Sequence, residues 1–231
     1  MSLRMYDLAG ADPSVRFSPY CWRSKMALAH KGLAVETIPW RFTEKDSIAF
    51  SGQERVPVLL DGEEVVTDSW NIALYLDRTY GDRPALFAND EARAAGFFIK
   101  RWAELQLHPA LVRLIVADIV QILDAEDGAY FRQTREAAFG MSLEDYCRSR
   151  EESAAALDSC LAPLRSSVKV TGFLGGETPN YADYIVFGAF QWARCSARGA
   201  LLQPGDPLAL WFEKLSALFD GLGAKAPRAF A

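Results

Sequence analysis

A chain of 231 residues, 50% of them hydrophobic, is long enough for one large domain or two ordinary ones with a sizeable core. Its net charge of -5 and isoelectric point near 5.2 argue against a nucleic-acid binder, which would present a basic face. No run approaches the roughly 18 to 20 apolar residues of a membrane helix and the N-terminus has no apolar leader, so the sequence predicts a cytoplasmic protein with no membrane span.

Leu3 to Leu8 mixes apolar and polar residues and ends in the breakers of Ala9 to Pro13, which predicts a strand and a loop. The stretch Phe17-Ser18-Pro19-Tyr20-Cys21-Trp22-Arg23 then starts a helix. Ser18 suits the N-cap, Pro19 suits the first turn, and no breaker follows until Gly32. Ser18 has two readings, a plain helix cap or a hydroxyl donor. In the second, the first-turn N-H groups and the positive end of the helix dipole would stabilise a thiolate or carboxylate beside it.

Ala34 to Ile38 predicts a second strand stopped by Pro39, and residues 40 to 54 are polar with at most one short helix. Val56-Pro57-Val58-Leu59-Leu60 runs through Asp61-Gly62 to Val65-Val66-Thr67, a hairpin. Pro57 is out of place inside a strand; a cis bond there would leave the flanking backbone free for a peptide-like ligand. Asp68-Ser69-Trp70 opens a helix with Ile72, Tyr75, Leu76 and Thr79 on one face. Asp68 and Ser69 either cap it or receive an α-amino-acid group at its positive end.

Beyond residue 81 the pattern changes class. Residues 82–90 read as a linker, and 91–231 read as helical. One long stretch from Glu91 to about Leu123 is interrupted at Pro109, another runs from Ser142 to about Ser166, and a last one starts at Asp206-Pro207. Asn180 with Asp183 three residues on is a capping-box variant opening a helix so apolar that it should be buried. Cys21, Cys147, Cys160 and Cys195 show no Cys-x-x-Cys spacing, and His30 and His108 have no partner at ligand spacing, so no metal site is expected.

The order of these features over essentially the whole chain resembles the cytosolic glutathione transferases. That resemblance implies an α/β N-terminal thioredoxin-like domain (β-α-β-α-β-β-α) over residues 1–81, followed by an all-α helical bundle. Ser-Pro-Tyr-x-Trp-Arg-x-Lys from Ser18, Arg55-Val56-Pro57-Val58, Asp68-Ser69-Trp70 and Gly175-Gly176-x-x-Pro179-Asn180-Tyr181-Ala182-Asp183-Tyr184 most resemble the bacterial β-aryl-etherases and their fungal relatives. Those enzymes use glutathione to cleave the ether link of lignin-derived aromatics.

The resemblance implies glutathione as cosubstrate, with Ser18 donating a hydrogen bond to its sulfur. Val56, before a cis Pro57, would pair with the cysteinyl part. Asp68 and Ser69 would hold the γ-glutamyl end, and Arg55, or alternatively Arg41, would attract the glycyl carboxylate. Tyr20 and Trp40 are candidates to contact an aromatic electrophile, whereas Trp22 is expected to pack in the core. The acceptor pocket is expected between the domains, and a homodimer is implied. Three alternatives stand beside the etherase: a general conjugating enzyme, thiol transfer through Cys21, and a noncatalytic ligand-binding protein.

Overall fold

The computed structural model describes residues 3–230. Strand β1 (Leu3–Leu8) leads through a loop into helix α1 (Pro19–His30), which returns as β2 (Val35–Trp40), parallel to β1 in the register Leu3 to Val35 through Leu8 to Trp40. Strand β2 runs past Pro39 rather than stopping there. It is an edge strand in the order β2-β1-β3-β4, the position where a missing N-H donor is tolerated.

The segment after β2 forms a 3-10 helix, Lys45–Ser51, in place of the α-helix implied there; Ile48 anchors it in the core. Strands β3 (Val58–Asp61) and β4 (Glu64–Thr67) form the expected hairpin, with Gly62 at φ 62 in the first of its two turn positions. The Val56–Pro57 bond is cis and precedes the ladder. Helix α2 (Ser69–Thr79) buries Ile72, Ala73, Tyr75 and Leu76; Thr79, expected on that face, is exposed.

The connection to the helical part is pinned. The carboxylate of Asp77 accepts from the N-H groups of Leu86 and Phe87 at 2.9 and 3.0 Å and pairs with Lys31, while Leu86 is fully buried. Helices α3 (Asp90–Trp102) and α4 (His108–Val120) follow. Between them lies a π-helical turn, Ala103–Leu107, so Pro109 opens α4 and the chain stays helical across the expected interruption.

Helix α5 (Ala125–Phe139) lies in the region read as helical but between the stretches delimited there; Asp124 caps it through the N-H of Asp127 and Gly140 ends it at φ 70. The run expected from Ser142 to Ser166 is two helices, the single turn α6 (Leu143–Tyr146) and the long α7 (Arg150–Thr171). Helix α8 (Tyr181–Ser196) has the anticipated capping box and is buried along almost its whole length. Helix α9 (Pro207–Gly221) is broken at Leu218–Asp220.

Helix α8 packs on α1, and Gly188 makes this approach possible. A Cβ at Gly188 would fall 2.3 Å from the carbonyl oxygen of Pro19. The first turn of α1 is thereby fixed against the helical part of the chain.

Candidate active site

The start of α1 opens onto a cleft of about 560 Å³. Ser18, Pro19 and Tyr20 form one wall, Glu54, Arg55 and Val56 edge it, and residues of α4 and α5 face them, with Trp192 of α8. Phe17, Tyr20, Phe42, Tyr130, Phe131, Phe139, Tyr146 and Trp192 give the cleft an aromatic lining.

Ser18 is the N-cap of α1, with extended backbone, and is 3% exposed. Its Oγ accepts from the N-H of Cys21 at 3.2 Å, so the hydroxyl proton remains free to donate into the cleft beside the positive end of the helix. Cys21 does not face the cleft. Its sulfur is fully buried 4.0 Å from the carbonyl oxygen of Tyr6, and burial pushes the thiol pKa well up, with the charge of Asp7 adding to the shift. Such a thiol is poorly suited to form a mixed disulfide.

Of the other expected residues, Val56 and Arg55 meet Ser18 at the cleft. Arg55 is exposed there and forms no ion pair among the described residues. Asp68 caps α2, its Oδ1 accepting from Trp70 and Asn71 at 2.9 and 3.2 Å. Its backbone is held at φ 69, ψ 130, a conformation that costs a non-glycine residue on the order of 1–3 kcal/mol. Neither Asp68 nor Ser69 lines the main cleft. The Ser69 hydroxyl is buried with no partner, an unmet polar atom at a helix start.

Arg41 is drawn elsewhere. It chelates Glu44 at 2.8 and 3.0 Å and reaches Asp124 at 2.6 Å, tying the loop after β2 to the start of α5 and leaving no free fork for a ligand. Trp40 touches the cleft but is 2% exposed. Its Nε1 donates to Glu44 O and its ring packs edge-on to Phe42, so it acts as wall rather than as an open contact. Trp22 packs in the core as expected, donating to Arg16 O at 2.8 Å.

His108, read as an ordinary helix residue, sits in the cleft wall. No spacing signal marked it, because its partners come from another helix. Buried Arg23 of α1 donates to its Nε2 at 3.2 Å, and Tyr20 Oη lies 3.5 Å from its Nδ1. Arg23 can only donate, so Nε2 is the acceptor and Nδ1 carries the proton. Burial, with the charge of Arg23 second, holds the His108 pKa down at about 3.

This has a consequence for stability. His108 is neutral when folded and takes up a proton near pH 6.5 when unfolded, so its stabilising contribution is complete above 6.5 and is lost as pH falls towards 3. The loss is about 1.4 kcal/mol per pH unit, about 2 kcal/mol by pH 5. Between pH 7 and pH 5 the loss of stability in denaturant unfolding should be larger in the wild type than in His108→Gln by about that amount. Equal losses in the two proteins would refute it.

The family described as "Glutathione S-transferase, N-terminal domain" matches residues 13–84, and "Glutathione S-transferase, C-terminal domain" matches residues 95–200. Glutathione S-transferase U13 of Arabidopsis thaliana is 29% identical over 176 residues, covering 72% of this chain and 66% of that protein. Glutathione S-transferase-like protein ustS of Aspergillus flavus is 33% identical over 139 residues, 54% of this chain and 49% of that protein. The chain therefore spans about two thirds and about half of the length of these relatives. Among solved structures, glutathione transferase GSTFuA3 of Phanerochaete chrysosporium superposes with a TM-score of 0.84 at 25% identity, covering 94% of this chain and 96% of that one. CsGST63524 of Ceriporiopsis subvermispora, in complex with glutathione, gives 0.77 at 25% identity, covering 99% and 100%.

Proposed function

Because this chain belongs to the glutathione S-transferase family, we propose that it activates glutathione as a thiolate at Ser18 and directs it onto an aromatic electrophile held in the cleft. Glutathione is the cosubstrate of this family. The residues present suit it. The unpartnered Ser69 hydroxyl and the strained Asp68 offer polar groups for the γ-glutamyl end, Val56 lies outside the strand ladder and would take the cysteinyl part, and Arg55 is free for the glycyl carboxylate. Arg41, engaged with Glu44 and Asp124, is dropped from that role.

The observation that carries the reading is the placement of the Ser18 Oγ. It stands at a helix N-terminus, holds a proton free to donate, and opens on the same cleft as the aromatic lining. A hydrogen bond and a helix dipole both favour the anion, so the bound thiol ionises more readily than the free one. Attack then needs no general base at the electrophile.

The finer reading is cleavage of β-aryl ethers. A bond forms from the thiolate sulfur to the substrate carbon that bears the ether oxygen, that carbon-oxygen bond breaks, and the electron pair leaves on an aryloxide, with no net oxidation. Tyr20 supports this direction. Burial raises its pKa, so it stays protonated, and as acceptor of the long contact from His108 Nδ1 it can turn its own proton towards the leaving oxygen. By family resemblance the protein acts as a cytoplasmic homodimer, and exposed Phe97 and Phe98 on α3 offer apolar surface for that contact.

The test is phenol release from a β-aryl ether ketone with and without glutathione. Release that requires glutathione is expected. Conjugation of a simple halonitroarene without any phenol release would keep the thiolate site and remove the ether assignment. Glutathione binding without turnover of either substrate would favour a ligand carrier.

A further inference from the structure

Arg135 is a cation of the cleft wall to which the proposed chemistry gives no role. It lies on α5, half-buried in the cleft wall, with its guanidinium 4.7 Å from the ring centre of Phe131 and 5.8 Å from that of Phe42. Its one side-chain hydrogen bond goes to Thr134 Oγ1 at 3.1 Å, and no carboxylate among the described residues pairs with it.

The contrast with its neighbours is informative. Arg132, one turn back on the same helix, is held by Glu136 and Glu144 at 2.8 Å, and Arg41 and Arg165 each have two carboxylates. The two acidic residues that line the cleft are both engaged elsewhere, Glu54 by Lys45 at 2.9 Å and Glu104 by Lys100 and Arg101 at 3.0 and 2.8 Å. Arg135 is thus a partly desolvated charge facing a cavity whose own anions are already neutralised. Burial lowers its pKa; nearby Tyr130 opposes that shift and the charge of Arg55 adds to it. Taking such a charge out of water is unfavourable unless a partner completes it.

We propose that Arg135 makes this cleft selective for aromatic acceptors bearing a carboxylate, which its planar fork grips while the partly exposed Phe42 and Tyr130 of the same cleft contact the ring. The inference rests on the reading of the cleft as the acceptor site. A guanidinium matches a carboxylate through two parallel N-H donors, and the aromatic faces that flank it exclude water from that pair. A neutral aryl ether of the same shape gains the stacking alone.

The test measures equilibrium binding of naphthalene-1-acetate and its methyl ester to the full chain by quenching of tryptophan fluorescence, with glutathione binding followed by calorimetry on the same samples. The wild type is expected to bind the acid at least about tenfold more tightly than the ester, the size of one charge-assisted contact. Arg135→Leu should erase that preference and leave the ester and glutathione affinities unchanged. Arg135→Lys, which keeps the charge without the fork, should retain part of it, and decides the matter with the wild type if the leucine variant does not fold. Equal binding of acid and ester by the wild type, or no binding of either, overturns the proposal, as does a preference that survives in Arg135→Leu. A tenfold loss of glutathione affinity in Arg135→Leu with the acid preference intact would reassign the guanidinium to the tripeptide. A wild type that prefers the acid but binds no glutathione would refute the glutathione reading and leave the carboxylate site standing.

Discussion

Ser18→Ala should lower kcat for glutathione-dependent turnover by about a hundredfold, with little change in glutathione affinity. Loss of one preorganised donor to a reacting anion typically has an effect of that size, because the interaction is strongest with the thiolate and weak with the thiol. The substitution also removes the α1 cap, where Oγ accepts from Cys21 N-H at 3.2 Å, and that alone destabilises by about 1 kcal/mol. Ser18→Gly separates the two effects, since glycine caps nearly as well as serine but has no hydroxyl. If the hydroxyl acts on sulfur, the glycine variant is as inactive as the alanine one while unfolding close to the wild-type denaturant midpoint. Thiolate absorbance of bound glutathione supplies a direct readout: the pH of half-ionisation should rise by a unit or more in both variants. Variants that keep wild-type turnover, or an unchanged thiolate titration, would reduce Ser18 to a cap.

Much of the fold was legible because local chemistry and tertiary packing agree. Ser18-Pro19 and Gly32 bracket α1, and the Asn180 and Asp183 capping box opens a helix whose apolar sequence matches its burial. The misses have local causes. Helix α5 falls within the region read as helical but was not singled out as an element, because with only Asp127 and Phe131 buried it lacks an apolar stripe and its caps are its clearest signal. Pro39 and Pro109 look like stops, yet an edge strand tolerates the first and a helix start tolerates the second.

The candidate site was legible only where its parts are contiguous. Ser18 and the Arg55-Val56-Pro57 stretch each carry a backbone signature, whereas the face opposite them is assembled from distant elements. Tyr20 meets His108 across 88 positions, and the loop at Phe42 and Thr43 is held by Asp127 of α5 at 2.8 to 3.1 Å. Arg41 illustrates the same limit. As a lone basic residue it suits a carboxylate ligand, and only the fold supplies Glu44 and Asp124 to occupy it.

The largest stability effect is expected at Asp183, far from the cleft. Its carboxylate is fully buried and accepts four hydrogen bonds: Leu174 N-H and Trp211 Nε1 at 2.8 Å on one oxygen, Gly175 N-H at 2.9 Å and Asn180 N-H at 3.1 Å on the other. Burial pushes its pKa up, with the four donors opposing that shift. Asp183→Ala strands all four donors at about 1–3 kcal/mol each, of which penetrating water relieves part, so a loss of about 4 kcal/mol or more is expected. Asp183→Asn should fall between, because its one oxygen can serve two donors while its amide nitrogen confronts the others. Denaturant unfolding should show the order Asp, Asn, Ala in midpoint with a common slope, and a loss below 1 kcal/mol in the alanine variant would contradict the account. The effect should reach the candidate site, because the helix Asp183 anchors packs on α1 and bonds to the start of α2. Tyr181 donates to Ser69 O at 2.5 Å at the start of α2, and Gly188 lets α8 sit against Pro19 beside Ser18. Weakening the first turn of α8 therefore loosens both helix N-termini that frame the proposed glutathione site, and the alanine variant should lose glutathione affinity at denaturant concentrations that leave the wild type fully bound.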